Sequence, residues 1–182
     1  MVKLLQAGFN YLSCMRYIIT ALLATLIFNQ SALAQSTEEE AIYKTVQSAY
    51  NGLSFNEGEK PDYKMMRSAF LDSAIFRSYR TGNADVFSIE QYMVNYRGAV
   101  EGGAFKAIRE KEIWGQTQVF GKVAHRFSTY VLYVNDMTTI VERGVNSMQL
   151  VKTAEGWKIN SITYDVERDG QAIPKTYLPD GR

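Results

Sequence analysis

His125, the single histidine of this chain, lies in the run Val123 to Val134, which is rich in β-branched and aromatic residues and reads as a strand. Alternation places it on one strand face with Phe127, Thr129, Val131 and Tyr133. If Asn135-Asp136 is a two-residue turn, Val134 pairs with Met137, His125 lies opposite Asn146, and Thr129 lies opposite Glu142. An imidazole, an amide and a carboxylate would then share a face with aromatic rings. Such a group can move a proton, because imidazole titrates near neutrality and a buried glutamate is raised toward it. A longer turn swaps which partners meet. The ordinary alternative is a half-buried histidine and a solvated glutamate on the outer face of a sheet. Asp165, two residues after Thr163 on the last expected strand, is a second candidate acid, against a plain surface position.

Twelve tyrosines, nine phenylalanines and two tryptophans are the stronger compositional sign. Tyr50, Tyr92, Tyr96, Trp114 and Tyr130 can wall a cavity for a flat organic ligand, offering apolar area and hydroxyl handles. Arg77 and Asn146 are the polar candidates for the same wall. The alternative is that aromatics simply build the core of a strand-rich fold. Other chemistries have little support. One histidine and one cysteine do not make a zinc site, and no metal or cofactor is expected, with carboxylate ligation of a hard cation left open. No glycine-rich phosphate loop joins a strand to a helix, and no serine sits in a nucleophile elbow. Basic residues are interspersed with acids and the net charge is only +1, which disfavours nucleic acid as a partner.

The elements that must position these residues follow in a simple order. Ser36 or Thr37 can cap a first helix whose apolar face is Ile42, Val46, Ala49, Tyr50 and Leu53, ending at Asn51-Gly52. Pro61 suits the start of a second helix with Tyr63, Met66 and Phe70 as its stripe. Residues 74–80 alternate as a strand, and Thr81-Gly82-Asn83 is a turn. Ser88 with Gln91 has capping-box spacing and opens a third helix bearing Ile89, Tyr92, Met93 and Tyr96. Four long strands follow over residues 107–119, 123–134, 138–153 and 157–166, with a tail from about residue 169. Helices then antiparallel strands is an α+β plan, a single domain over residues 35–182.

Residues 15–34 carry a further signal. Arg16 precedes an apolar run from Tyr17 to Phe28, then Asn29-Gln30-Ser31 and the small-x-small pattern Ala32-Leu33-Ala34. This predicts a signal peptide over residues 1–34, with Met15 an alternative true start, and hence a periplasmic or secreted protein without a stable membrane anchor after cleavage. A retained N-terminal anchor is the competing reading, but the run is short of the ~20 residues that span a bilayer. Cleavage would remove Lys3, Arg16 and the only cysteine, Cys14, taking the formal charge from +1 to −1.

The element order resembles the NTF2-like superfamily, including its SnoaL-like and lumazine-binding-like members. The residues that carry the resemblance are Ala69 to Phe76 at the entry to the first strand, Ser88 to Tyr92 at the capped third helix, and Met148 to Lys152 with Glu155 to Ile159 at the closing hairpin. The resemblance implies a cone, with three N-terminal helices packed on a curved antiparallel sheet, a pocket in the wide end, and often a homodimer through the sheet. Members include isomerases, dehydratases and cyclases as well as proteins that only bind, so the fold does not choose a function. The leading expectation is a binder of a small apolar or aromatic ligand. The alternative is a cofactor-independent acid–base enzyme using His125 with Glu142 or Asp165.

Overall fold

The computed structural model describes residues 35–179. The predicted signal segment, with Cys14 and both candidate start methionines, lies outside the described residues. Helix α1 covers 35–53 and buries the predicted stripe: Ile42 and Val46 are fully enclosed, and Ala49, Tyr50 and Leu53 nearly so. Helix α2 (Tyr63–Ser68) is only six residues long, and Asp62 rather than Pro61 starts it, its carboxylate accepting from the Met65 amide at 2.8 Å. Phe70, expected on the helix stripe, instead opens β1 (Phe70–Ser78), four residues earlier than the alternation suggested.

A short strand, β2 (Asp85–Ser88), returns antiparallel along β1, with Ile75 opposite Ser88 and Ser78 opposite Asp85. Four residues hold too little alternation to be read from sequence. Ser88 then caps α3 (Ile89–Glu101), accepting from the Gln91 amide as the capping pattern predicted. The three helices therefore do not form one N-terminal block: a long helix and a single turn and a half come first, and the third follows two strands.

The remaining strands are β3 (Ile108–Phe120), β4 (Val123–Val134), β5 (Glu142–Thr153) and β6 (Gly156–Val166). They complete a curved six-stranded sheet in the order β2-β1-β6-β5-β4-β3. Every neighbouring pair is antiparallel except β1 and β6, which run parallel, so the expectation of a wholly antiparallel sheet is corrected at one seam. The core lies between the helices and the inner sheet face, where Phe76, Tyr130, Met148, Leu150, Ile159 and Ile162 meet the buried residues of α1 and α3. On the outer face, the C-terminal segment lies across β4. Tyr177 packs on Trp114 and Phe127, and its carbonyl accepts from the Thr129 hydroxyl at 2.6 Å.

The β4–β5 register differs from the two-residue turn considered from sequence. Leu132 is opposite Glu142, and the loop of residues 135–141 is held by Asp136, which accepts from the Thr138 amide and from the hydroxyls of Thr138 and Thr139. A displacement of three residues exchanges the faces. His125 is opposite Gln149, and Ser128, not His125, is opposite Asn146.

Candidate functional site

The inner face of β4 carries Arg126, Ser128 and Tyr130, all buried, and the inner face of β5 carries Glu142, Gly144, Asn146 and Met148. Tyr50 from α1, Tyr92 and Tyr96 from α3, Phe76 from β1 and Tyr164 from β6 close over them. Between these walls a deep chamber of about 60 Å³ adjoins an outer space of about 490 Å³. The two share Leu53, Arg80, Tyr92, Glu110 and Tyr164, so Glu110 stands where they meet. The outer space is lined mainly by apolar groups such as Phe87, Phe105, Leu132 and Val134.

Glu110 belongs to the inner face of β3 and is pinned there by its backbone. Its amide donates to the Ser54 hydroxyl at 3.1 Å, and that hydroxyl in turn lies 3.3 Å from the Glu110 carbonyl. Its carboxyl makes no hydrogen bond to any described residue. Burial first, and then the like charge of Glu142, push it up to about 8, against the opposing pull of Arg80. At neutral pH this group is therefore mainly a protonated acid, a hydrogen-bond donor with no acceptor among the described residues. Burial also raises the hydroxyls of Tyr50, Tyr92 and Tyr130, so the surrounding tyrosines stay neutral donors.

A second carboxylate borders the same space and is fully engaged. Glu142 takes Arg80 at 2.7 Å and 2.8 Å through both its oxygens, and accepts from the Tyr130 hydroxyl at 2.7 Å. Burial works against the Arg80 charge, and the bonds to Glu142 outweigh it, raising its pKa. Gly144 leaves room for this arrangement, since a Cβ there would strike the Tyr130 ring and hydroxyl. A third polar group lies deeper, where the Arg126 guanidinium forks onto Glu112 at 2.8 Å and 2.5 Å and is linked through Ser128 to Tyr50 and Asn146.

Several sequence candidates meet in this cavity: Tyr50, Tyr92, Tyr96, Asn146 and Glu142 all line it. The others lie elsewhere. His125 is on the opposite sheet face, its Nε2 3.0 Å from the Ser147 hydroxyl. Asp165 is on the outer surface, paired with Arg168 at 2.6 Å and with Gln171, and those bonds hold its carboxyl below the usual range. Arg77 is exposed on β1. Trp114 faces out because β3 bulges between Glu112, opposite Tyr130, and Trp114, opposite Thr129. Glu110 and Arg80 were missed. The text Ile108-Arg-Glu-Lys-Glu112 reads as a solvated charged strand, yet its acids all fall on one face and its bases on the other. That segregation was the available signal.

Among the described residues, no cluster of three or more His, Cys, Asp or Glu could hold a metal ion. No described helix is long and apolar enough to cross a membrane. No family model and no curated protein matches the sequence. Solved structures do match. A proposed dehydratase of the NTF2-like family from Streptomyces avermitilis is 16% identical, with 74% of this chain and 99% of that one covered at a TM-score of 0.58. The Kfla4162 protein from Kribbella flavida is 14% identical over 74% and 93% at 0.58. An NTF2-like protein of unknown function from Shewanella baltica is 18% identical over 73% and 96% at 0.52. At these identities the likeness shows the fold, which is NTF2-like.

Proposed function

Taking the NTF2-like fold as the premise, we propose that this protein binds a small, uncharged, mostly apolar organic molecule in the cavity between α1, α3 and the inner sheet face. One observation carries the reading: the Glu110 carboxyl, unpartnered among the described residues and with its pKa raised by burial, sits among tyrosine and phenylalanine walls at the junction of two spaces. The walls supply apolar burial, and the carboxyl supplies a single strong donor for a carbonyl or hydroxyl oxygen. With Arg80 and Glu142 neutralising each other, the cavity offers no net charge to attract an ion.

Turnover is the second reading, and the same carboxyl favours it. An acid poised near 8 can protonate a carbonyl or a departing hydroxyl and take a proton back from the adjacent carbon, which is the chemistry of cofactor-independent isomerisation or dehydration. In that reading Glu110 replaces His125 as the proton carrier, and Arg80, Glu142 and Tyr130 fix the surrounding dipoles. Export to the periplasm or medium, and a homodimer formed through the sheet, stay part of the proposal on the strength of residues 15–34 and of the resemblance.

A thermal-shift screen of neutral aromatic and alicyclic compounds tests the binding reading against Ala99→Trp, which fills the outer space from α3. Hits that stabilise the wild type and not the variant are expected. Equal shifts for both proteins would place binding elsewhere and defeat the proposal. Light scattering and N-terminal sequencing of the exported protein check the dimer and the cleavage after Ala34.

A further inference from the structure

The deep chamber ends on a chain of hydrogen bonds whose direction is set at its far end. Arg126 forks onto Glu112, its Nε 2.8 Å from Oε2 and its Nη2 2.5 Å from Oε1. The Ser128 hydroxyl lies 2.6 Å from Oε2, and a carboxylate so paired only accepts, so the serine proton goes to it. A hydroxyl has one proton. Ser128 must therefore accept from the Tyr50 hydroxyl, 2.8 Å away, and the Tyr50 oxygen must accept from the next group along. That group is the Asn146 amide, whose Nδ2 stands 2.9 Å from it. The ion pair thus dictates which way the asparagine amide lies, and Oδ1 takes the opposite side. Asn146 is 5% exposed and lines the chamber, and its Oδ1 accepts no hydrogen bond from any described residue.

We propose that Asn146 is the specificity-determining residue of the cavity, its oriented amide carbonyl selecting ligands that carry a hydroxyl or N–H donor on the end that enters the deep chamber. The inference rests on the cavity reading above and narrows its ligand class. At about 60 Å³ the chamber accepts the tip of a molecule rather than a whole ring system, which the outer space takes. A site built to receive a donor discriminates against an analogue lacking it, because the buried acceptor is then left unpaired. Ser128 and the Glu112–Arg126 pair act through Asn146 and are positioning residues, while Tyr50 both orients Asn146 and lines the chamber itself.

The test compares para-phenylphenol with para-phenyltoluene, which exchanges hydroxyl for a methyl of similar size, by calorimetry on the wild type, Asn146→Leu and Tyr50→Phe. An indifferent apolar cavity prefers the methyl compound. The wild type is expected to prefer the phenol by about tenfold, the scale of one well-made hydrogen bond in such a site. Asn146→Leu should reverse that order. Tyr50→Phe, which keeps Asn146 but cuts the chain that orients it, should shrink the preference, and it carries the test should the leucine variant not fold. Equal binding of the two probes by the wild type overturns the assignment while leaving the cavity reading standing, as does an undiminished preference in either folded variant. Binding of neither probe overturns the cavity reading, and this inference with it.

Discussion

Glu110 stands at the junction of the two spaces, and its burial there makes stability depend on pH. Its folded value, about 8, exceeds its ordinary value of 4.5, so the folded state holds the proton more tightly than the unfolded chain. The stability it contributes is complete below about 4.5 and is lost as the pH rises through about 8. Each pH unit of displacement corresponds to about 1.4 kcal/mol, so the loss amounts to a few kcal/mol. Melting temperatures across this range should fall in the wild type and hold level in Glu110→Gln, with Arg80, Glu142 and the tyrosines common to both. Parallel curves would contradict the burial of an unpaired acid. Removing the like charge through Glu142→Gln should bring the same transition to lower pH, as Arg80 is then left to favour the ionised form; a transition that stays or rises would refute that coupling. His125→Ala makes the opposite point. It breaks one hydrogen bond to Ser147 and a ring contact with Phe127 on the far sheet face, so it should cost about 1–2 kcal/mol and leave ligand affinity unchanged.

At the scale of elements, what positions the site is a bulge, a loop and a glycine. The β3 bulge lets Glu112 face inward while Trp114 faces out. The seven-residue β4–β5 loop sets the register that brings Asn146 opposite Ser128. Gly144→Ala would drive a Cβ into the Tyr130 ring, and we expect a loss of about 1–3 kcal/mol in denaturant unfolding, with the Tyr130–Glu142 bond disturbed. A neutral outcome would mean that the ring moves aside freely. These features also explain how far the sequence could be read. The helical stripe Ile42, Val46, Ala49, Tyr50 and Leu53 and the Ser88 cap were legible because local spacing alone encodes them. The faces of β4 and β5 were not, because register depends on loop length, and Asp136 lengthens the loop by binding its own Thr138 and Thr139. Tyr50, Tyr92 and Tyr96 were singled out by their chemistry, and all three line the cavity. Glu110 was passed over because a charged strand reads as solvated until the helix that covers it is known.

For the whole molecule, the two sheet faces have separate tasks. The inner face holds the cavity and its three polar groups. The outer face carries His125 and the C-terminal segment anchored by Tyr177. A neutral ligand held by a protonated Glu110 should lose affinity as that carboxyl ionises, and calorimetry on an aromatic ketone such as acetylnaphthalene across pH 6 to 9.5 (roughly two units below to one and a half above the Glu110 value) measures this. Affinity should be level at the acid end and fall roughly tenfold per pH unit once the carboxyl ionises above about 8, with Glu110→Gln level throughout. No binding at any pH, or wild-type affinity that does not change across the range, would contradict binding through the protonated acid.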